Sequence, residues 1–475
     1  MSMTALMWTA VAILDVVAAT RAIYRAQGVE HTLAWVFAIL ALPGVGGLAY
    51  LALTGPTVRR TTHRRRRSIE SYRSRIAALG GDLVPPLSPD DVPEDPMLAV
   101  AAEVTQVLPS AGNEVQMLAE DVRAFEEIEA ALWAAQRSVW AEYYLIRNDQ
   151  TGHRFLDLLV ERAKAGLEVR LLCDAVGSMG LDARRLKALV AAGGRAESFM
   201  PMNPLRRRWS FDLRNHRKLV IVDGEQAFTG GMNVGDEYSG RSHRQGATHF
   251  HDTHLSLRGP VVADLARIFA EDWCFATDES LALPARPSPL RTASALVAVV
   301  PSGPDQQYNA NGMVYFAGIA SARERVYLAT PYFIPDEPTV WALISAALRG
   351  VDVRLLLPGL CDLAVVRAAA RTYYPLLLDA GVRVFEYQPS MLHAKTMAVD
   401  GRDAIIGSAN VDIRSFRRNF ELGALVADPV FVAAVEPRFL ADLGQSVEIT
   451  EDMIEGAGFW SKIRDRTARL LSPLL

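Results

Sequence analysis

Apolar residues are most concentrated at the start of the chain. Residues 32–54 contain no charged side chain, and residues 3–19 contain one, Asp15. About 20 apolar residues are enough for a helix to cross the hydrocarbon core of a membrane. The pattern predicts two transmembrane helices within residues 1–58, the first of them partly polar where it meets the second. A buried helix of a soluble protein is the alternative for residues 32–54, and the lack of a basic residue before Arg21 argues against a cleavable signal peptide.

Arginines follow the second apolar run directly, whereas the loop between the runs has only Arg21 and Arg25. The run consists of Arg59, Arg60, Arg64, Arg65, Arg66, Arg67 and Arg73. Basic residues next to membrane helices favour the cytoplasmic side, so the rest of the chain is expected at the inner face of the membrane. Such a run can also bind anionic lipid headgroups, at about 1 kcal/mol per residue. A topology signal with no role in substrate handling is the favoured interpretation.

Beyond a Pro- and Asp-rich spacer at residues 80–96, apolar strands and helices alternate, and the pattern occurs twice. Residues 137–146 resemble residues 325–334, and residues 165–172 resemble residues 349–356. In the second pair a basic-rich helix end, a glycine cap and a buried strand follow one another. The prediction is an α/β fold of two duplicated α/β/α halves related by a pseudo-twofold axis. The expected boundaries are 1–58 for the membrane anchor, 59–108 for the basic segment and linker, 109–290 for the first half and 291–475 for the second.

Composition narrows the class of protein. The 475 residues carry a net charge of −4, with 22% of them charged, which argues against a nucleic-acid binder. Cys173, Cys274 and Cys361 lie far apart and have no metal-site or disulfide spacing, so buried reduced thiols are expected. Nothing in the sequence decides for or against a homo-oligomer.

Each half ends in the same short motif, H-x-K-x4-D. The first copy is His216, Lys218 and Asp223; the second is His393, Lys395 and Asp400. Asn233 and Asn410 each follow the histidine of their copy by 17 residues. Because side chains alternate along a strand, the His and Lys of each copy point to one face. Two such units that face each other suit attack on a phosphodiester, which needs one base-like group on each side of the phosphorus.

The paired motif resembles the hallmark of the phospholipase D superfamily, and the whole chain is similar to bacterial cardiolipin synthases. Besides the two-helix N-terminus, the likeness rests on residues 142–146, 174–180, 229–238, 252–254, 407–416 and 419–422. The resemblance implies a multi-pass enzyme of the bacterial inner membrane that transfers a phosphatidyl group between two phosphatidylglycerol molecules. It implies no metal and no cofactor, because one phosphodiester replaces another.

The resemblance also implies roles for the motif residues. His216 is expected to form a bond to phosphorus and His393 to carry the proton, although the near-symmetry of the halves leaves this order open. Lys218 and Lys395 are expected to neutralise the phosphoryl oxygens, and Asn233 and Asn410 to donate hydrogen bonds to them. An ordinary histidine pKa near 6.5 suits both halves of such an acid-base cycle.

Carboxylates have two expected roles. Asp252 and Glu421 follow the motif histidines by 36 and 28 residues and are predicted to orient them through the other ring nitrogen. Asp223 and Asp400 belong to the catalytic motif by resemblance. Both precede a glycine at a strand end, however, where Asp is a good turn former, and this structural interpretation is favoured.

Several alternatives remain at this point. Residues 243–254 contain four histidines and Asp252, but alternation along a strand would split them between two faces, which argues against a metal site. Aromatic residues near the motifs fit a lipid groove or ordinary core packing: Trp209, Tyr238, Tyr332 and Phe333. The loop at 206–209 fits anionic headgroups or solvent. The amphipathic segment at residues 459–475 fits an interfacial helix or a packed terminal helix. A phospholipase D-type hydrolase that releases phosphatidic acid is the alternative activity, and an inactive membrane scaffold is disfavoured by two intact His-Lys pairs.

Overall fold

The computed structural model describes residues 2–24, 29–53, 56–78, 93–118, 121–202, 208, 210, 212–241, 249–456 and 458–470. Most of the predicted spacer, the loop at 206–207 with Trp209, and His243 lie outside these residues. The N-terminal part forms the helices α1 (Met3–Tyr24), α2 (Val29–Ala41), α3 (Val45–Leu53), α4 (Pro56–Ala78) and α5 (Pro96–Thr105).

A turn at residues 42–44 divides the apolar run that was predicted to be a single transmembrane helix. Proline has no backbone N–H to continue a helix, and Gly44, which follows Pro43, has a φ of 78°. Asp15 on α1 accepts hydrogen bonds from the Gly44 amide at 2.9 and 3.1 Å, so the charged residue meets a backbone group that the turn leaves exposed. Among the described residues, α1 is the one helix long and apolar enough to cross a membrane, and a second spanning helix is not confirmed.

The segment predicted as a basic region and linker contains two helices that pack on the body of the protein. Helix α4 buries Tyr72 and Ile76 in one hydrophobic cluster. Helix α5 is capped by Asp95, whose carboxylate accepts from the amides of the first turn, and it buries Met97 and Leu98 in a second cluster.

The first half continues with a sheet and its covering helices. Its elements are β1 (Ser110–Leu118), α6 (Asp121–Ala134), β2 (Ser138–Tyr143), α7 (Gln150–Lys164), β3 (Glu168–Asp174), α8 (Ala183–Ala191), β4 (Arg195–Phe199), β5 (Arg214–Asn215), β6 (Lys218–Val222), β7 (Gln226–Gly230), α9 (Asp236–Ser239), β8 (Phe250–His251), β9 (His254–Arg258) and α10 (Val261–Thr277).

The second half has the corresponding succession with additions at its end. Its elements are β10 (Ala295–Ser302), α11 (Ala310–Ser321), β11 (Arg325–Ala329), β12 (Phe333–Ile334), α12 (Glu337–Leu348), β13 (Asp352–Pro358), α13 (Ala364–Arg371), α14 (Tyr374–Asp379), β14 (Arg383–Tyr387), β15 (Met391–Leu392), β16 (Thr396–Val399), β17 (Asp403–Gly407), β18 (Val411–Asp412), α15 (Ile413–Arg417), β19 (Asn419–Ala427), α16 (Pro429–Leu443), β20 (Ser446–Ile449), α17 (Glu451–Glu455) and α18 (Phe459–Leu470).

Within the described residues one sheet runs through both halves. From one edge its order is β4-β3-β2-β6-β7-β9-β1, and from the other edge it is β20-β14-β13-β11-β16-β17-β19-β10. The two runs meet where β1 and β10 pair antiparallel. Apart from β20, the strand order on one side of this junction repeats on the other, as expected for a duplicated chain.

Strand β10 shows how the sheet separates two parts of the core. Val297 and Val299 pack in the cluster with α10, whereas Ala298 and Val300 pack in the cluster with α5 and α11. Neighbouring residues of a strand point to opposite faces, so both faces of β10 are covered. This explains why the central strands are apolar throughout rather than alternating.

The structural match between the halves is one residue away from the sequence match of Arg137 with Arg325. Val139 pairs with Val222 as Val326 pairs with Val399. The residue of the second half that corresponds to Arg137 is therefore Glu324. Side-chain similarity favoured the wrong register here because one apolar residue replaces another on a strand buried on both faces.

Candidate active site

Each histidine of the repeated motif lies between a two-residue strand and a longer one, and the short strand is paired with the other half. Strand β5 pairs with the start of β19, and β15 pairs with β8. The amide of His216 donates to the carbonyl of Phe420, and the amide of His393 donates to the carbonyl of His251, both at 2.8 Å. The register thus brings each histidine next to the carboxylate of the opposite half.

His393, Lys395 and Asp252 form what we call the second centre. His393 Nδ1 lies 2.5 Å from Asp252 Oδ2 and 2.7 Å from Lys395 Nζ. The ring is stacked on Phe250, with centroids 5.2 Å apart, and has the edge of Tyr238 at 5.4 Å. The carboxylate and the two aromatic rings fix the orientation of the imidazole.

Electrostatics in the second centre favour a neutral histidine next to a charged carboxylate. Burial lowers the pKa of His393 to about 4; Lys395 lowers it too, and Asp252 opposes them. Burial also lowers the pKa of Lys395 to about 7. Burial alone would raise the pKa of Asp252, but the positive charge of Lys395 and the contact with His393 bring it below its ordinary value.

His216, Lys218, Glu421 and Asn419 form the first centre, which is looser. His216 Nδ1 lies 3.4 Å from Glu421 Oε1 and 3.2 Å from the amide nitrogen of Asn419, and that amide donates to Glu421 at 3.1 Å. The ring of Tyr144 is 4.2 Å from the imidazole, centroid to centroid. The side chain of His216 is 20% exposed, compared with 11% for His393.

The charges of the first centre follow the same physical rules. Burial lowers the pKa of His216, and Glu421 opposes the change. Burial lowers the pKa of Lys218 to about 8. Glu421 has its pKa held below the ordinary value because His216 and Lys218 outweigh the effect of burial. Lys218 Nζ donates to the carbonyl of His216 at 2.6 Å, as Lys395 Nζ does to the carbonyl of His393.

The residues before the two asparagines make room for the carboxylates. A Cβ on Gly231 would lie 2.0 Å from Asp252 Oδ1, so a side chain at this position would displace that carboxylate. The corresponding residue in the second half is Ser408, whose hydroxyl donates to Glu421 Oε2 at 2.5 Å. The sequence contained this difference, G-G-M-N against G-S-A-N, but not its meaning.

Asn233 and Asn410 are buried near the two centres. Asn233 donates to the hydroxyl of Tyr238 at 2.9 Å, which connects it to the ring beside His393. The backbone amide of Asn410 donates to Ser415 Oγ at 3.2 Å. In the described part of the chain, the side-chain carbonyl oxygens of both asparagines are buried without a hydrogen-bond partner. Their predicted role as donors to a phosphate stays a prediction.

Asp223 and Asp400 lie away from both centres and hold turns, and a catalytic role for them stays a prediction. Asp223 accepts hydrogen bonds from the amides of residues 136–138, and Asp400 accepts from those of residues 323–325. Each is seven residues of mostly extended chain from its histidine, or roughly 20 Å. Both adopt positive φ, 56° and 52°, directly before a glycine. They hold the turn between a helix and the next strand.

Tyr144, Asn419 and Ser408 were not predicted as site residues. Asn419 precedes Glu421 by two residues on one strand, so alternation places both on the same face. That spacing is the one signal that could have identified Asn419 in advance. Tyr144 and Ser408 come from other strands, and their contacts depend on the tertiary fold.

An ionic cluster next to the first centre includes Arg65, which belongs to the arginine run after the apolar helices. Arg65 on α4 is buried and pairs with Asp272 and with Asp305. Asp272 also pairs with Arg217, the residue between His216 and Lys218. Arg65 is therefore bound inside the protein, while the topology signal predicted for the arginine run stays a prediction.

The ionic cluster contacts the first centre at two points. Arg217 Nε donates to the carbonyl of Glu421 at 3.2 Å. The guanidinium of Arg65 lies 4.5 Å from the ring centroid of Phe420, whose carbonyl accepts from His216. Ala394 occupies the place of Arg217 in the second motif, so the corresponding connection cannot form there.

The side chains of the candidate metal-binding segment at residues 249–254 contact different partners and do not come together. His251 Nε2 lies 2.9 Å from Asp442 Oδ2, and Asp252 binds His393. His254 is buried, and in the part of the chain with described coordinates neither of its ring nitrogens has a hydrogen-bond partner. Over the same residues, no group of three or more His, Cys, Asp or Glu side chains is placed to hold one ion.

The fold and the site together define an α/β protein in which two His-Lys pairs, each with a carboxylate from the opposite half, are arranged for phosphoryl-group chemistry. A family model described as "Cardiolipin synthase, PLD-like domain" matches residues 128–273 and 315–443. A second model, "Phospholipase_D-nuclease N-terminal", matches residues 8–53. The chain belongs to the phospholipase D superfamily, in the family of cardiolipin synthases with PLD-like domains.

Individual relatives agree with this assignment. Cardiolipin synthase of Geobacillus kaustophilus is 36% identical over 455 residues, which cover 94% of this chain and 89% of the relative. Cardiolipin synthase A of Pseudomonas aeruginosa strain PAO1 is 36% identical over 474 residues, 99% and 96% of the two chains. The structure of phosphatidylserine synthase from Haemophilus influenzae has a TM-score of 0.60 at 13% identity and covers 80% of this chain and 100% of its own, which supports the fold alone.

Proposed function

We propose that the protein is a cardiolipin synthase, a membrane-associated phosphatidyltransferase that converts two phosphatidylglycerol molecules into cardiolipin and glycerol. The observation that supports the proposal is the pairing of each motif histidine with a carboxylate of the opposite half, close enough that Lys218 and Asp252 interact electrostatically. The relatives named cardiolipin synthase span nearly the whole chain, and the N-terminal family model covers residues 8–53.

In the first step Nε2 of His216 attacks phosphorus, and the bond from phosphorus to the glycerol oxygen breaks. The low pKa of buried His216 keeps the ring neutral at neutral pH, as a nucleophile requires. A proton on Nδ1 is directed towards Glu421, which leaves the lone pair on Nε2. The product of this step is a phosphatidyl-histidine.

His393 gives its proton to the departing glycerol oxygen. A carboxylate 2.5 Å from Nδ1 stabilises the imidazolium form. Burial and the charge of Lys395 hold the pKa of His393 down. A bound phosphodiester anion would pair with that lysine and so raise the histidine pKa towards the working pH.

The second step reverses the first with a different alcohol. His393 takes the proton from the primary hydroxyl of the second phosphatidylglycerol, the alkoxide oxygen attacks phosphorus, and the bond to His216 breaks. One phosphodiester replaces another, so the chain's own residues account for every proton. Lys218 and Lys395 neutralise the phosphoryl oxygens as charge builds up, and Asn233 and Asn410 donate to them.

We place the catalytic body on the cytoplasmic face of the bacterial inner membrane. The arginines of α4 follow the apolar helices directly, and such residues favour that side. The anchor comprises residues 1–58 and crosses the membrane twice in this proposal, with the turn before α3 inside the hydrocarbon region and capped by Asp15. The body then divides into halves at 109–290 and 291–475.

The deciding experiment is the product analysis of the purified full-length protein in phosphatidylglycerol micelles. We expect cardiolipin and one glycerol per turnover, with full activity in the presence of a chelator. Phosphatidic acid as the main product would instead make the protein a phospholipase D-type hydrolase. The matched controls are His216→Ala, which should be folded and inactive, and His153→Ala, which changes a histidine remote from the motifs and should be active.

A further inference from the structure

Helix α18, the last described helix, turns its polar side towards the protein and its apolar side outwards. Ala468 is buried, and the side chain of Asp465, 14% exposed, pairs with Arg464. Trp460, Ile463 and Leu470 follow the helical spacing i, i+3, i+10 and are 79%, 41% and 79% exposed. A packed terminal helix would bury this apolar stripe, because removing apolar surface from water is the main gain of packing.

Basic residues surround this stripe. The helix carries Lys462, Arg464, Arg466 and Arg469 against one acidic residue, Asp465. At 3.6 residues per turn, Arg464 and Arg466 lie on the two sides of the stripe. Long basic side chains beside an apolar stripe can reach headgroups while their stems stay in the apolar layer.

The position of α18 places this surface at the rim of the site. Ala468 packs in a small cluster with Ile334 and residues of α13, and Tyr332 packs against that cluster. Tyr332 also packs against the cluster that contains Tyr238 and Phe250, the two rings that hold His393. The distance from the outer helix to the second centre is therefore spanned by a few packed side chains.

The loop that leads into α13 adds apolar surface on the same rim. Leu360 and Leu363 are 56% and 46% exposed. The loop begins where β13 ends, and β3 is the strand of the first half that corresponds to β13 in the strand order. Met179, in the loop after β3, is 67% exposed.

We propose that α18, together with the exposed leucines of the loop at 359–363, is a docking surface for an anionic lipid bilayer. The occupant is a lipid surface because the stripe is flanked by positive charge on both sides. A stable protein partner would need about 800 Å² per side, more than four or five side chains supply. Docking here brings the site to the level of the headgroups. This use of the surface rests on the proposed function, whereas the docking itself does not.

The binding test uses the full-length protein reconstituted into phosphatidylglycerol/phosphatidylcholine vesicles in which part of the lipid carries brominated acyl chains. Bromine quenches tryptophans that enter the acyl layer, so Trp460→Phe should lower the quenched fraction of the emission. Trp341→Phe is the matched control, since Trp341 is a 54% exposed tryptophan on α12 and should contribute only unquenched emission. An unchanged quenched fraction in Trp460→Phe would overturn the proposal.

The functional test uses the double variant Trp460→Ser, Ile463→Ser. We expect turnover of phosphatidylglycerol in anionic bilayers to fall about tenfold, while turnover of a monomeric short-chain phosphatidylglycerol stays the same. An equal loss on both substrates would mean damage to the site and would count against docking. Absence of cardiolipin formation by the unaltered protein would refute the proposed function and leave the quenching result standing.

Discussion

In both centres the histidine amide donates to the opposite half, the ring nitrogen lies near a carboxylate, the ring lies against an aromatic side chain, and the lysine donates to the histidine carbonyl. The centres differ in how closely these groups pack. In the second centre a carboxylate lies 2.5 Å from the histidine, and a ring stacks on the imidazole. In the first centre the carboxylate lies 3.4 Å away, an asparagine amide shares its place, and the tyrosine ring is tilted. The first centre is instead restrained by the neighbouring ionic cluster of Arg65, Asp272 and Arg217.

This difference suggests how a duplicated unit acquires two roles. A histidine that carries a proton in both directions gains from a close carboxylate that stabilises its charged form. A histidine that forms a bond to phosphorus must stay neutral and move towards the phosphorus, which a looser carboxylate permits. The substitutions that separate the halves, Gly231 against Ser408 and Phe250 against Asn419, lie directly around the two carboxylates.

The largest effects are expected from the histidines. His216→Ala and His393→Ala should each lower turnover by about a thousandfold or more, because the first removes the group that bonds to phosphorus and the second removes the proton carrier. The variants should differ with a phosphatidyl ester of an acidic phenol, which needs no proton to depart. His393→Ala should then accumulate a phosphatidyl group on His216, detectable by mass spectrometry of the peptide. A label on His393 in the His216→Ala variant would reverse the two roles.

Arg65 should matter more for folding than its place in the arginine run suggests. Arg65→Ala leaves Asp272 and Asp305 short of a partner in a buried site, which should lower the free energy of unfolding by about 3–5 kcal/mol. Thermal unfolding in detergent measures the change. Arg66→Ala is the control, because Arg66 is exposed, pairs with Glu70 and should change stability by about 0.5 kcal/mol or less. Equal effects of the two variants would contradict a structural role for the cluster.

The orienting carboxylates should rank by distance. Asp252→Asn should lower kcat on the order of a hundredfold, because it removes the charge that stabilises the His393 imidazolium. Glu421→Gln should lower kcat less, about tenfold, since Glu421 is farther from its histidine and shared with Asn419 and Ser408. Steady-state rates of the two variants give the comparison. A larger loss for Glu421→Gln would contradict the assignment of the tighter centre to proton transfer.

The smallest effect concerns pH. A lysine loses its positive charge as pH rises through its pKa, so kcat/KM should fall above about 7, where Lys395 deprotonates, and further above about 8, where Lys218 follows. Lys395→Arg removes the first loss, because guanidinium stays charged. The fall should then begin near pH 8. A profile of unchanged shape would show that Lys395 does not set this limb.

Many of the site residues could be predicted because they occur at short, regular spacings in the sequence. The His-Lys spacing puts both side chains on one strand face whatever the rest of the fold does. The turn role of Asp223 and Asp400 follows from the glycine that comes next. The contact of Asp252 with His393 could be proposed only as one of two pairings, since 36 and 28 residues of chain separate these groups from their own motifs.

The membrane segments show the opposite case. Residues 32–54 had the better composition for a transmembrane helix, yet the turn at Pro43 and Gly44 divides them, while the run interrupted by Asp15 forms the long helix. Hydropathy counts apolar residues and does not register where a helix can continue. Pro43 and Gly44 account for the division, and the Gly44 amide gives the Asp15 carboxylate a partner 29 residues away.

The sequence by itself determined the duplicated α/β frame, the family and the identity of the four central side chains, because these depend on local periodicity and on fixed spacings within one strand. Only the tertiary structure decided which carboxylate serves which histidine, that Arg65 is part of the body, and that α18 shows its apolar side to the outside. These depend on contacts between residues far apart in the chain, where strand register and helix orientation are set by packing. The residues next to a position in the sequence therefore do not show which distant residue it will contact.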